Sequence, residues 1–302
     1  MRDQIVRKIF SDLVWVILKY DYYIEGKIDK ILQGHTHWIK CITILSDGRI
    51  VSGSGDETLI IWNPLGYVDK ILTGHDSTVT CVSILPDGQI VSGSSDKTLI
   101  IWNNEGQIDK VLKGHTHSVI CLNVLFNGQI VSGSFDKTLI IWKSSGSIDY
   151  ILRGHDYTVT CINILPNGQI VSGSSDRTLI VWKSQNIDYI LRGHENTVTC
   201  VTTLFDGRIV SGSADITLII WNFNGQIDLV LQGHSSWIFS VNILPDGRIV
   251  SGSSDTTLIV WNDLGKIDTI CKGHTNWIRC VKTLPDGRIV SGSDDNTLII
   301  WK

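Results

Sequence analysis

Seven times along the chain, a histidine, a serine and an aspartate recur at fixed spacing, and these residue types together could carry out nucleophilic catalysis. The first set is His35, Ser52 and Asp56. In a catalytic triad the aspartate orients the histidine, and the histidine takes the proton of the serine nucleophile. A triad occurs once in an active site, whereas this set occurs in seven copies, each ending in a tryptophan such as Trp62 that catalysis does not require. The repetition therefore favours a structural role.

The elements that hold these residues repeat with a nearly constant period. A glycine precedes each of the seven histidines, and successive Gly-His pairs are 40, 40, 40, 39, 40 and 40 residues apart. The seven tryptophans follow the same period. The one shorter step has a local cause, because the connection Ser184-Gln185-Asn186 has lost one residue relative to the preceding copy. Such a period indicates a repeat architecture of seven units.

Each copy contains short runs of β-branched residues separated by turn signals. In the first copy the runs are W-I-K-C-I-T-I-L, R-I-V-S-G-S, T-L-I-I-W and Y-V-D-K-I-L. Such runs predict four short strands and leave no room for a helix. The Asp-Gly or Asn-Gly pair between the first two runs, such as Asp47-Gly48, predicts a tight hairpin whose residues take positive φ.

These landmarks resemble those of the WD-repeat β-propeller family, in which each repeat forms a four-stranded blade. The resemblance covers residues 26–302 and implies an all-β, seven-bladed propeller with four antiparallel strands per blade, preceded by an extension of residues 1–25. The sequence stops after a third strand at Trp301-Lys302, and residues 27–33 form a lone fourth strand. We therefore expect strand 27–33 to complete the seventh blade and close the ring, which removes exposed strand edges.

In the family that the chain resembles, the corresponding His, Ser, Asp and Trp form a buried, hydrogen-bonded tetrad. Tryptophan only donates, serine and neutral histidine both donate and accept, and aspartate accepts, so the four side chains can satisfy one another. The resemblance implies seven structural tetrads: His35, Ser52, Asp56, Trp62; His75, Ser92, Asp96, Trp102; His115, Ser132, Asp136, Trp142; His155, Ser172, Asp176, Trp182; His194, Ser211, Asp215, Trp221; His234, Ser251, Asp255, Trp261; and His274, Ser291, Asp295, Trp301. One departure lies outside the tetrad, because the family's usual Asp after the tryptophan is Asn or Lys in every copy.

Composition and charge exclude several classes of function. The 302 residues are 42% hydrophobic, and the net charge is -4 with a pI near 6.1. No basic excess favours nucleic acid or an anionic membrane, and no run approaches the roughly 20 apolar residues that cross a bilayer. We therefore expect no nucleic-acid partner and no transmembrane segment. The repeat accounts for nearly every glycine and leaves no phosphate-binding loop, so we expect no cofactor.

The seven cysteines also follow the repeat. Six share one position in the first strand of a copy, and only Cys271 is extra. Without a C-x-x-C pair they fit neither a disulfide framework nor a zinc site. We expect buried thiols in a reducing compartment, inside the cell and in the cytoplasm rather than the nucleus, and no bound metal. A ring of thiolates around a soft metal is the alternative.

Positions that differ between copies are free of the constraint of the fold and are candidates for recognition. Three and five residues after the histidine most copies carry small residues, whereas blades 1, 6 and 7 carry aromatic or basic ones. These blades are neighbours in a closed ring, and Trp and Arg are enriched in interface hot spots. The predicted partner-binding patch consists of Trp38, Trp237, Trp277, Phe239, Arg279, Lys40, His37 and Asp294. The alternative is that each extra tryptophan packs over its own blade.

Residues 1–25 have a pattern of their own. Apolar residues recur at helical spacing, as at Ile5, Ile9 and Leu13, and predict a short amphipathic helix. The longest apolar run, 13–18, is too short for a secretory signal. The stretch Q-I-V-R-K-I-F-S-D-L resembles the opening of an F-box, a ubiquitin-ligase adaptor module, but the rest of that module is missing. The other possible roles of residues 1–25 are docking onto the propeller, onto a partner protein or onto a membrane surface.

Together these patterns predict a monomeric, non-catalytic protein-protein interaction scaffold. It would bind a peptide or partner protein on the face formed by the loops into the first strands and the turns between second and third strands. An enzyme would need titratable residues unique to one or two blades and directed into the central channel, and the repeat leaves none. The alternatives are a substrate-recruiting adaptor of a ubiquitin ligase acting through residues 1–25, or a recently amplified repeat array with little evolved specificity. Fold resemblance alone does not establish function.

Overall fold

A computed structural model describes residues 26–302. The extension of residues 1–25, with its predicted amphipathic helix, lies outside the described residues. The described residues form 28 strands in seven antiparallel four-stranded sheets and contain no helix. Among them there is therefore no helix long and apolar enough to span a membrane. The prediction of an all-β, seven-bladed propeller with four strands per blade is confirmed.

The first two β-branched runs of each copy form the two inner strands of a blade. The first strands are β2 (Ile39–Ile44), β6 (Val79–Ile84), β10 (Val119–Val124), β14 (Val159–Ile164), β18 (Val198–Thr203), β22 (Ile238–Ile243) and β26 (Ile278–Thr283). The second strands, all I-V-S-G-S and buried throughout, are β3 (Ile50–Ser54), β7 (Ile90–Ser94), β11 (Ile130–Ser134), β15 (Ile170–Ser174), β19 (Ile209–Ser213), β23 (Ile249–Ser253) and β27 (Ile289–Ser293).

The last two runs form the outer half of each blade. The third strands, which contain the tetrad tryptophans, are β4 (Thr58–Trp62), β8 (Thr98–Trp102), β12 (Thr138–Trp142), β16 (Thr178–Lys183), β20 (Thr217–Trp221), β24 (Thr257–Trp261) and β28 (Thr297–Trp301). The outer strands are largely exposed and each buries only its next-to-last residue. They are β1 (Ile28–Gln33), β5 (Val68–Thr73), β9 (Ile108–Lys113), β13 (Ile148–Arg153), β17 (Asn186–Arg192), β21 (Ile227–Gln232) and β25 (Ile267–Lys272).

The ring is closed by the first strand of the chain. β1 pairs antiparallel with β28 and so becomes the outer strand of the seventh blade. Lys27 and Lys302 exchange two backbone hydrogen bonds there, 3.3 and 2.9 Å long. The Asp29 carboxylate forms ion pairs with Arg288 and Lys302, each at 2.6 Å. The predicted closure by residues 27–33 is confirmed, and it joins the two ends of the ring through main-chain pairing.

The apolar core lies between the blades. At the junction of blades 7 and 1, Leu298 and Ile300 of β28 pack with Ile39, Ile60 and Trp62 of blade 1. Six clusters of the same kind fill the other junctions. Alternate side chains of a strand point to opposite faces of its sheet, so every blade contributes to two clusters. The junction that closes the ring therefore packs like the other six.

The turn between the first and second strands uses its Asp-Gly pair asymmetrically. In blade 1 the Gly48 N–H donates to the Leu45 carbonyl at 2.9 Å, and Gly48 has a φ of 84°. Asp47 does not have a positive φ, and its carboxylate accepts a hydrogen bond from the Arg49 N–H at 3.0 Å. The prediction of positive φ therefore holds only for the glycine, because the chain forms a type I turn followed by a left-handed glycine.

The loop into each first strand and the turn between the second and third strands lie on one face of the ring, which we call the loop face. In blade 1 the Gly55 N–H donates to the Trp38 carbonyl at 2.9 Å, and in blade 7 the Asp294 N–H donates to the Trp277 carbonyl at 2.9 Å. The equivalent hydrogen bond occurs in the other five blades. Both segments that vary between copies are thereby held side by side.

Candidate functional site

The recurring His, Ser, Asp and Trp side chains are hydrogen bonded to one another within each blade. In blade 1 the Trp62 Nε1–H donates to Ser52 Oγ at 2.8 Å, and the same oxygen lies 2.8 Å from His35 Nε2. The other ring nitrogen, Nδ1, lies 2.8 Å from the Asp56 carboxylate. The same contacts occur in the other six blades, with His–Asp distances between 2.7 and 2.9 Å.

The donor order matches that of a catalytic triad, but the serine is closed to substrate. Because the indole can only donate, Ser52 donates its own proton to His35 Nε2, and Nδ1–H then donates to Asp56. Ser52 is 0% exposed, and its oxygen already accepts the indole N–H. Burial raises the pKa of Asp56, but hydrogen bonds from His35 and Thr58 outweigh it and hold that pKa well below its usual value. Each tetrad thus fastens the loop face to its blade.

Two further side chains per blade join this network, and reasoning from the sequence misses both. The Thr58 hydroxyl donates to Asp56 Oδ1 at 2.7 Å. The Ser54 hydroxyl donates to the His37 carbonyl at 3.1 Å and accepts from the Asp56 N–H at 3.1 Å. The repetition of S-G-S and T-L-I in all seven copies could have indicated both residues. A strand does not by itself require a serine or a threonine at these positions, so their recurrence points to a specific role.

Blades 6 and 7 carry one continuous group on the loop face, formed by Trp237, Phe239, Trp277, Arg279 and Asp294, which we call the aromatic cluster. The Trp237 and Phe239 rings meet edge to face at 6.2 Å, and the Phe239 and Trp277 rings lie 5.8 Å apart. The Arg279 guanidinium lies 4.4 Å from the Phe239 centroid and 4.7 Å from the Trp277 centroid. It also donates two hydrogen bonds, 2.8 and 2.7 Å long, to Asp294.

His37 and Trp38 form a separate pair in blade 1. Their ring centroids are 3.7 Å apart at an interplanar angle of 79°. The Trp38 indole lies over Gly55, where a Cβ atom would come within 2.6 Å of Nε1, and the other copies have a larger residue at this turn position. Among the described residues, no ring contact joins Trp38 to Trp237 or Trp277. Trp38 therefore packs partly over its own blade, while 41% of it stays exposed.

Lys40 follows Trp38 by two residues and occupies in blade 1 the position that Arg279 occupies in blade 7. It is half-buried, and its ammonium is within electrostatic range of both Arg279 and Asp294. Burial lowers the pKa of Lys40, Arg279 lowers it further, and Asp294 raises it. In the part of the chain that the structure describes, this ammonium has no hydrogen bond or ion pair. The structure thus brings five of the eight predicted patch residues into direct contact, pairs His37 with Trp38 in the neighbouring blade, and puts Lys40 within electrostatic range of Arg279 and Asp294.

The position of Lys40 has a structural use elsewhere in the ring. In blade 2 the Thr80 hydroxyl lies 3.0 Å from the Gly93 carbonyl of its own blade and 2.7 Å from the Val119 carbonyl of the next. Thr160 and Thr199 make the same two contacts in blades 4 and 5. We call this contact the threonine tie. In blades 6, 7 and 1 the position holds Phe239, Arg279 and Lys40. This sector therefore lacks the threonine tie and has apolar and cationic side chains at that position instead.

Six of the seven cysteines are buried and Cys121 is half-buried, and they pack in the clusters between the blades. All seven are free. Burial raises the pKa of Cys81, Cys161 and Cys280 to about 12, whereas the thiolate is the form that binds metals. No group of three or more potential metal-ligating side chains occurs among residues 26–302. These thiols fill space as small apolar side chains do.

Seven segments of the chain match the family model described as "WD domain, G-beta repeat". They are residues 26–63, 66–103, 106–143, 146–183, 186–222, 225–262 and 265–302. Among solved structures, the crystal structure of the WD40 β-propeller domain of Doa1 is similar, with a TM-score of 0.84 and 24% identity over 91% of this chain and 96% of that chain. At that identity the likeness shows the fold alone. No curated protein matches the sequence. Because the seven segments cover almost all of residues 26–302, this chain belongs to the WD40-repeat family.

Proposed function

We propose that this protein is a non-catalytic interaction scaffold that binds a peptide or partner protein on the loop face of blades 6, 7 and 1. WD40 propellers are typically protein-interaction scaffolds. The observation that carries the more specific proposal is the exposed aromatic cluster of blades 6 and 7. Two of its residues, Phe239 and Arg279, occupy the position at which blades 2, 4 and 5 have the threonine tie, so the fold does not require them there.

The burial of the tryptophans supports this assignment. Trp237 is 48% exposed and Trp277 is 41% exposed, whereas the tetrad tryptophan Trp261 is 1% exposed. A group of large exposed apolar side chains rimmed by charge is typical of a binding surface, and Trp and Arg supply a large share of binding energy in measured interfaces. Arg279 holds two of the rings in place before a partner arrives, which lowers the entropy cost of ordering them on binding.

The burial of the tetrads supports a non-catalytic role. Each tetrad serine is 0% exposed, and each accepts a hydrogen bond from a tryptophan indole, as Ser251 does from Trp261 at 2.8 Å. A nucleophile needs an open approach for its substrate. The serines of the seven Ser-His-Asp sets are fully buried and have no such approach.

Two features support the proposed setting of the scaffold. Seven free cysteines suit a reducing compartment, which favours a place inside the cell, in the cytoplasm rather than the nucleus. The closure of the ring through β1 pairs the outer edge of blade 7 in the same chain, which favours a monomeric propeller.

The test compares two double variants with wild type in pull-downs from the native cell. Trp237→Ala with Trp277→Ala removes two rings of the aromatic cluster and should abolish capture of the principal partners. Phe135→Ala with Tyr157→Ala is the matched control, because it removes two exposed rings from the loop face of blades 3 and 4, and it should leave capture unchanged. A Trp double variant that keeps every partner would refute the proposed site.

A third arm addresses the ubiquitin-ligase alternative. Deleting residues 1–20 should leave partners of the loop face bound. If ubiquitin-ligase subunits are captured by wild type and lost on this deletion, while the Trp variant keeps them, the adaptor function through residues 1–25 replaces the proposal.

A further inference from the structure

The charged residues of the inner strands are gathered on one side of the ring. The first strands of the seven blades contact one another in turn and surround the ring axis. These strands carry three cations, Lys40, Arg279 and Lys282, and no aspartate or glutamate. All three cations belong to blades 7 and 1. One wall of the central channel is therefore positive, although the net charge of the whole chain is -4.

Arg279 is already fully engaged within the aromatic cluster. Its guanidinium forms two hydrogen bonds with Asp294 and lies against the Phe239 and Trp277 rings. The faces of aromatic rings ordinarily attract a cationic ligand. Here Arg279 occupies that place, so a lysine or arginine of a partner would have to displace it and would also meet the charge of Lys40. The chemistry of this sector therefore disfavours a basic ligand.

Lys40 is the cation at this mouth of the channel that has no counter-ion. Among the described residues its ammonium makes no ion pair or hydrogen bond, and the one carboxylate nearby, on Asp294, is held by Arg279 at 2.7 Å. The side chain is half-buried and within electrostatic range of the Arg279 and Asp294 side chains of the aromatic cluster. A half-buried charge without a partner costs free energy that an incoming anion can recover.

We propose that the loop face binds a peptide in which an anionic side chain lies next to an apolar one. The apolar side chain packs on the aromatic cluster, and the anion pairs with the Lys40 ammonium at the mouth of the channel. This inference rests on the proposed function of the loop face and specifies the chemistry of its partner. The uncompensated charge of Lys40 adds specificity, because it attracts acidic peptides and repels basic ones.

The experiment selects random linear peptides on the immobilised full-length chain and compares two variants. Lys40→Thr introduces the residue that blades 2, 4 and 5 carry at this position, so the variant is expected to fold. Lys110→Thr is the matched control: it removes the same charge from an outer strand, at the position that Thr269 occupies in blade 6. Thermal unfolding of both variants verifies that each is folded.

Peptides selected by the wild type should carry Asp or Glu within a residue or two of an apolar side chain. Replacing that acid by Gln should weaken binding by about tenfold, as expected for a charged hydrogen bond. The same loss should follow from Lys40→Thr, with no further loss when both changes are combined. Lys110→Thr should change the affinity by less than about twofold.

Further comparisons separate the remaining outcomes. A version of the selected peptide with phosphoserine in place of the acid compares phosphate with carboxylate. The inference holds for an anion if its peptide binds the wild type more tightly than the Gln peptide does, and if this difference disappears in Lys40→Thr. Peptides that bind through Trp237 and Trp277 without an acidic preference, or whose acid is insensitive to Lys40→Thr, would overturn the inference and leave the proposed function intact. If no peptide or native partner needs those tryptophans, the proposed function itself fails.

Discussion

The threonine tie allows a direct test of whether one strand position stabilises the ring in some blades and serves binding in others. In Thr80→Val the side chain keeps its shape and loses its hydroxyl, which lies 3.0 Å from the Gly93 carbonyl and 2.7 Å from the Val119 carbonyl of the next blade. The opposite change is Lys40→Thr, which introduces the same hydroxyl in blade 1. There the equivalent carbonyl of the next blade, on Val79, accepts a weak side-chain hydrogen bond from the Cys41 thiol at 3.9 Å.

The expected magnitudes follow from the burial of the two sites. Thr80 is 8% exposed, and leaving a buried acceptor without its donor costs about 1–3 kcal/mol. Thr80→Val should therefore lower the free energy of unfolding by about that amount. Lys40→Thr forms one neutral hydrogen bond, of about 0.5–1.5 kcal/mol, and it removes a half-buried ammonium. It should raise the free energy of unfolding by about 1 kcal/mol, while it weakens the binding of acidic peptides.

Urea unfolding followed by tryptophan fluorescence measures both effects, because the tetrad indoles are buried and become exposed on unfolding. Equal slopes with denaturant are required before midpoints are compared. Thr275→Val, in an exposed loop, is the control and should stay within about 0.5 kcal/mol of wild type. A Thr80→Val protein as stable as wild type would show that the tie contributes nothing. A Lys40→Thr protein less stable than wild type would refute the claim that this position exchanges stability for recognition.

Three further predictions concern the ring, a strained turn and acid. Asp29→Ala removes both ion pairs at the closure and should lower the urea midpoint more than Asp69→Ala, the same position in blade 1; equal shifts would contradict a special role for closure. Ile216 has a φ of 68°, which strains a β-branched residue by about 1–2 kcal/mol. Ile216→Asn introduces the residue that blade 7 has at this position and should raise the unfolding temperature. An unchanged unfolding temperature would show that the turn is not strained. Burial raises the pKa of Asp136, but its hydrogen bonds hold it at about 2, below the unfolded value of about 3.9. Its ionised form therefore stabilises the fold above about pH 4, and this is lost as the pH falls towards 2; unfolding scans across that range should show a smaller decline for Asp136→Asn than for wild type.

The sequence was sufficient for most of the fold because each copy repeats the same constraints. Seven Gly-His pairs and seven tryptophans on one period leave a single assignment for the four strands of a copy. The position of residues 27–33 outside any complete copy predicts the closure through β1. Only the details of turns escaped, as at Asp47, where a side-chain hydrogen bond to the backbone decides the conformation and a residue-pair preference does not reveal it.

The candidate site was predictable in its membership but not in its contacts. Ring closure makes blades 6, 7 and 1 neighbours, so Trp237 and Trp277 could be grouped from their repeat numbers alone. Nothing in the residue types indicates that Arg279 stacks on aromatic rings while pairing with Asp294. Nor do they indicate that Trp38 turns onto Gly55, because side-chain rotamers are selected by the neighbours that happen to surround them.

The amino-acid sequence by itself determined the number of blades, the strands in each and the sector in which the copies disagree, since all of these follow from periodicity along one chain, and its resemblance to the WD-repeat family implied the tetrads. The tertiary structure alone decided that Arg279 is satisfied and Lys40 is not. The distinction depends on which groups from different blades come within hydrogen-bonding distance, and a spacing of 40 residues along the chain fixes the blade of a side chain without fixing the direction in which it points.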